Sequence, residues 1–266
     1  MARIALGIEY DGTAFSGWQA QSHATGVQSA VESALSSVAD HAVAVTAAGR
    51  TDAGVHATYQ VAHFDTTAAR TGRAWVLGAN SQLRPDVSLL WAEQVPPGFH
   101  ARFSAEARSY RYVIRNTAAR PSLDRDRACW VREPLDAELM QGAAQVLVGV
   151  HDFSSFRAAE CQSHTPIRRL ESISVERHGT LLTIDVTANA FLHHMVRNIA
   201  GVLIAVGRGK RAGDWVGEVL EARDRRLGGV TAAPQGLYLV GVRYPAEYGL
   251  PAPPQPASIT LAARRG

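Results

Sequence analysis

The sequence predicts an α+β chain built from two halves of similar layout. Stretches with strand-type alternation and stretches with helical spacing take turns along its length, and the second half repeats the pattern of the first. With 266 residues, 46% of them hydrophobic, the chain can bury one large core or two smaller ones sharing an interface. Ile4, Leu6, Ile8 and Tyr10 alternate with smaller or polar residues, as in a half-buried strand, and Asp11-Gly12-Thr13 breaks the run. Val27, Ala30, Val31, Ala34, Leu35 and Val38 recur at helical spacing, and a short β-type run covers Val43 to Thr46. A glycine-rich loop comes next, then a strand at Gln60 to Phe64, a helix from Arg73 to Gln82 and a strand from Val87 to Trp91. In the second half, Arg108 to Ile114 alternates with Tyr110, Tyr112 and Ile114 on one face, and Ala137 to Leu147 reads as a helix. Glu171 to His178 and Thr180 to Thr187 form a hairpin turning at Gly179. Phe191 to Val206 is an apolar helix, Trp215 to Ala222 another, and Leu237 to Val242 the last strand. The halves are placed at residues 1–102 and 103–245, with a tail at 246–266 whose Pro251, Pro253, Pro254 and Pro256 follow Pro245. That tail is expected to lie over the surface or to be disordered.

No apolar run approaches the ~20 residues needed to span a bilayer, and Met1-Ala2-Arg3 leads into a strand pattern, not a signal-peptide core. The expected location is the cytoplasm, without membrane attachment. Cys129 and Cys161 are too few and too far apart for a disulfide framework or a cysteine-rich zinc site. The formal net charge is +3, but of 27 Lys and Arg residues only Lys210 is lysine. Arginine suits a phosphate-rich partner through its planar fork, and GC-rich coding produces the same bias, so placement decides. Arg102, Arg108, Arg111, Arg115, Arg120, Arg125, Arg127 and Arg132 fall in one segment interleaved with Phe103, Tyr110, Tyr112 and Trp130. Cations for phosphates and flat rings for unstacked bases fit an RNA surface; a solvated strand face fits the same letters.

A carboxylate that acts as a nucleophile must be reachable, held by the backbone and kept ionised by a nearby cation. Gly49-Arg50-Thr51-Asp52-Ala53-Gly54 can meet these demands: its glycines permit a sharp loop and a close ligand, and Arg50 stands two positions from Asp52. Read locally, the same letters are also a plain turn. Arg197 is the one charge on the otherwise apolar helix, where it either snorkels to water or serves a site.

Six segments then carry a resemblance: Ala5 to Gly12, Gly17-Trp18-Gln19, Ala48 to His56, Phe99 to Phe103, Ser109-Tyr110-Arg111-Tyr112, and Phe191 to Ile199. In content and order they closely resemble the tRNA pseudouridine synthase A family, from about Ile4 to Tyr244. The resemblance implies a pseudouridine synthase fold, two ferredoxin-like α+β halves joined by a mostly antiparallel central sheet with helices outside and a basic cleft. It implies a homodimer that isomerises uridine to pseudouridine at neighbouring positions in the anticodon stem-loop of several tRNAs, with no metal and no organic cofactor. By position, Asp52 matches the nucleophile, Arg50 an arginine that helps displace the target base, Tyr110 the tyrosine against the flipped base, and Arg197 the arginine paired with the carboxylate. Trp18, Gln19 and His56 are expected to join Arg50 and Tyr110 in holding substrate.

Those roles agree with the chemistry, since the base must leave the helix before its bond to the sugar can be broken and remade through carbon. An aromatic wall and an ionised carboxylate beside Arg197 serve that end. His193 and His194 point to different sides and have no acidic partner at metalloprotease spacing, so no metal site is expected. The alternatives are a non-catalytic RNA-binding module, against which Asp52, Tyr110 and Arg197 argue together, and an aspartic hydrolase, which lacks the second carboxylate turn it needs.

Overall fold

The structure is a computed structural model and describes residues 1–19 and 25–254. The chain divides into two compact units, one holding Met1–Glu106 with the described residues from Tyr238 onward, the other Ala107–Leu237.

In the first unit, β1 (Ala2–Tyr10) lies between β3 (His56–Thr66) and β4 (Val87–Val95), antiparallel to both, with Leu6 opposite Ala62 and Ala92. Its other edge gives β3 two partners: β2 (Thr46–Ala47) at one end, and β10 (Leu237–Arg243) in parallel at the other, where Tyr238 meets His56. The two helices are α1 (Val27–Ala39) and α2 (Gly72–Gln82). Val27, Val31, Ala34 and Leu35 form the buried stripe of α1, and the Thr71 hydroxyl caps α2 by accepting from the Ala74 N–H at 3.2 Å. The β-type run at Val43 to Thr46 becomes a strand only at Thr46. The Val43 and Val45 N–H groups instead donate to Ser36 Oγ and Glu32 Oε1 of α1, both at 2.9 Å, so helix side chains replace the ladder.

In the second unit, β5 (Ala107–Asn116), β9 (Leu181–Ala188), β8 (Ile167–His178) and β7 (Gly149–Asp152) follow one another across an antiparallel sheet, and β6 (Cys129–Val131) runs parallel to β5. Its helices are α3 (Ala137–Ala144), α4 (Met195–Gly207) and α5 (Trp215–Ala222). Ten of the thirteen α4 residues are buried, so this helix is packed on nearly every side. It starts at Met195 and not at Phe191. His194 takes a left-handed backbone, φ 61°, which a continuing helix cannot accommodate, so a turn at His193-His194 precedes it, closed by the Met195 N–H on the Leu192 carbonyl at 3.0 Å. The strands β6 and β7, three and four residues long, were too short to show as runs in the sequence.

The described part of the tail lies over the surface of the first unit: Tyr248 sets its ring edge-on to Phe99 at 5.0 Å and the Tyr59 hydroxyl donates to the Pro251 carbonyl, whereas Pro256 lies outside the described residues. The arginine-rich segment spends part of its charge internally. Arg111 grips Asp185 with two bonds of 2.7 and 2.9 Å, Arg115 pairs with Asp124 at 3.1 Å, and buried Arg108 donates to the Asn189 carbonyl at 3.0 Å. No helix among the described residues is long and apolar enough to cross a membrane.

Candidate active site

The loop carrying Asp52 runs from the end of β2 into β3, and its backbone is tied down on several sides. Ala48 N–H donates to the Val61 carbonyl at 2.7 Å and Gln60 Nε2 to the Gly49 carbonyl at 2.7 Å. The Tyr10 and Thr51 hydroxyls share a hydrogen bond of 2.8 Å, which buries Thr51 between Arg50 and Asp52. Val55 N–H closes a turn on the Asp52 carbonyl at 3.1 Å.

A second loop clasps the first. Trp18 N–H donates to the Thr51 carbonyl at 3.0 Å, and Gly54 N–H to the Phe15 carbonyl at 3.3 Å. The approach requires glycine at position 17: its φ is 96°, and a Cβ there would fall 2.6 Å from the Thr51 oxygen and 3.1 Å from the Asp52 carbonyl carbon. Held this way, Arg50 is exposed and Asp52 half-buried on a loop with little freedom to yield.

Two expected substrate contacts sit inside the protein. Trp18 is 2% exposed and tilts against Tyr10, with ring centroids 5.9 Å apart. His56 is also 2% exposed: Gly12 N–H donates to its Nδ1 at 3.0 Å, and its ring stacks on Tyr238 at 4.6 Å. In these positions they offer no face to a ligand and act as pegs that fix the two loops. Gln19 is exposed. Tyr10 and Gln60, not singled out for a role from sequence, hold the loop. Each is a strand residue whose polar end meets the loop only once β1 and β3 are side by side.

In the second unit, Tyr110 on β5 is 8% exposed and meets the edge of Phe191 at 5.0 Å, an arrangement that fixes the plane of its ring. Arg197 is the third residue of α4 and half-buried. Its Nε donates to the Ala232 carbonyl at 2.8 Å, and Ala232 N–H returns a bond to the Arg197 carbonyl at 3.1 Å. Next to it, Asn198 is fully buried; its Nδ2 donates to the Phe156 carbonyl at 2.7 Å, and its Oδ1 accepts from Thr231 Oγ1 at 2.7 Å and Arg225 Nη2 at 3.0 Å. Burial raises the Tyr112 phenol well above its ordinary range, so it stays protonated and donates to the Ala233 carbonyl at 2.8 Å.

Thus a fixed loop presents a carboxylate and an arginine, and a second corner fixes a tyrosine and another arginine. Comparison with known proteins gives these residues their context: the sequence profile of the tRNA pseudouridine synthases matches residues 7–104 and 143–245. The chain belongs to that family. A tRNA pseudouridine synthase A of Coxiella burnetii is 58% identical over 254 residues, which span 96% of this chain and 97% of its own. The protein of that name from Methylococcus capsulatus is 58% identical over 93% of this chain and 92% of its own, and that of Legionella pneumophila strain Lens 57% over 93% and 95%. The chain is thus a tRNA pseudouridine synthase, an isomerase with the α+β fold of its family.

Proposed function

We propose that the synthase isomerises uridines in the anticodon stem-loop of several tRNAs, with Asp52 as nucleophile. The observation that carries this reading is the bracing of the Asp52 loop, whose neighbouring Thr51 carbonyl and hydroxyl are both held, so that a half-buried carboxylate is presented in one orientation. The bond from C1′ of the ribose to N1 of uracil breaks, the freed base turns, and C1′ bonds to C5. The proton that C5 gives up balances the one N1 gains, so no redox partner is called for. The target nucleotide must leave its stack first. Arg50, exposed on the loop, displaces it; Tyr110 lies against the base; Arg197, aimed by Ala232, pairs with the Asp52 carboxylate. Gln19 contacts the RNA, and the enzyme works as a cytoplasmic homodimer.

The test is Asp52→Asn with unmodified tRNA in metal-free buffer, mapping pseudouridine at nucleotide resolution. Turnover is expected to vanish while tRNA affinity stays within about twofold, because the amide keeps the side-chain shape and removes only the charge. Turnover by the variant overturns the role of Asp52, and modification outside the anticodon arm overturns the specificity.

A further inference from the structure

The second unit contains a cavity of about 890 Å³ that none of the proposed catalytic residues lines. Its floor is α4 and the strap of residues 229–233, and its walls include Trp130 of β6 and Trp215 of α5. The volume falls in the ~300–1,000 Å³ range of ligand sites. Trp130 is anchored through its indole N–H to the Thr117 carbonyl at 2.8 Å, yet it remains 38% exposed.

The rim is basic. Arg208 and Lys210 share one carboxylate, Glu133, at 3.2 and 3.9 Å, while Arg211 makes no ion pair among the described residues and lies over the Trp215 ring at 5.0 Å. Arg226 is matched by Asp224 and Glu218 adds one acidic group, which still leaves the rim net positive. A purely apolar occupant would desolvate these cations without an anion to receive them. A phosphate would be received, and flat rings beside cations suit an unstacked base.

We propose that this cavity is an RNA subsite that takes an unpaired nucleotide of tRNA other than the one isomerised, its base against Trp130 and its phosphate on Lys210 and Arg211. The inference rests on tRNA being the substrate, and it adds a second point of attachment. Gly201 gives the floor its shape: a Cβ there would fall 1.9 Å from the Val230 carbonyl oxygen, so the strap lies flat on α4.

The test compares wild type, Lys210→Glu/Arg211→Glu, Trp130→Ala and Trp130→Phe. A control, Arg70→Glu/Arg73→Glu, makes the same charge change at two exposed arginines of the first unit. The charge variant should raise KM for tRNA about tenfold, with the single-turnover rate recovered at saturating tRNA, and the control should not. Trp130→Ala should weaken binding and Trp130→Phe largely restore it. Ultraviolet crosslinking of wild type to tRNA should mark the peptide containing Trp130. Unchanged KM and affinity with no crosslink overturn the subsite. So does a change in sedimenting mass of the charge variant without RNA, because a second copy of the chain would then be the occupant. If wild type bound tRNA with the expected charge dependence but formed no pseudouridine, the proposed reaction would fall and the subsite would stand.

Discussion

At the scale of single residues, the site depends on positions that touch no substrate. Gly17→Ala would force a left-handed backbone on an alanine and push its methyl group into the Thr51 carbonyl. We expect a loss of roughly 1–3 kcal/mol in urea unfolding, together with a lower turnover rate, because the displaced atoms adjoin Asp52. A variant with wild-type stability and rate would show that the clasp is dispensable. His63 behaves differently. Burial, reinforced by the charges of Arg3 and His100, pushes its imidazole down to about 4, while its Nδ1 accepts from the Ala101 N–H at 3.1 Å. Between pH 6.5 and 4 the unfolded chain binds the proton and the folded one does not, so stability falls as pH drops through that window. The contribution is complete above 6.5 and is on the order of 3 kcal/mol. Unfolding free energies measured across that range should show a slope that His63→Gln flattens, and an identical slope in both proteins would refute it. None of this was legible in the letters. A histidine in an alternating strand is compatible with either face, and its charge is set by burial, with Phe99 and His100 packed against it, and by the nearby Arg3.

At the scale of elements, the turn before α4 and the strap after α5 act as one corner. Asn198 carries it, with three hydrogen bonds to three separate chain segments. Removing the amide in Asn198→Ala leaves the buried Phe156 carbonyl without its donor and takes one acceptor from Arg225 and Thr231, which keep their 2.8 Å bond to each other. The expected cost is about 2–4 kcal/mol, read by thermal or denaturant unfolding. Turnover should fall with it, because the same corner aims Arg197; a stable variant with full activity would argue against that coupling. The sequence exposed this region only in part. The apolar stripe of α4 and the anomalous Arg197 could be read from spacing. The left-handed His194 that sets where the helix begins could not, because Phe191 and Leu192 continue the apolar pattern without interruption. Likewise the Asp52 loop was visible as a motif, but that Trp18 and His56 lie beneath it follows from contacts with Tyr10, Gly12 and Tyr238 that no local window contains.

For the molecule as a whole, the basic balance, with an isoelectric point near 9.1, suits a polyanionic substrate, and tRNA affinity should fall linearly with salt on a logarithmic plot. Affinity independent of salt would contradict phosphate contacts of any kind. The final strand bears on something else, the order in which the chain can acquire its structure. The second unit is one uninterrupted stretch, whereas the first needs β10 to lie beside His56 and Ala57. Residues 107–237 therefore form one continuous stretch, whereas the first hundred residues leave β3 without its parallel partner until β10 has been made. The Asp52 loop, one of whose pegs stacks on Tyr238, becomes rigid only once β10 is in place. A released chain truncated just before Leu237 should resist protease across the second unit and be cut within the first. The activity would thus be withheld until β10 has joined β3.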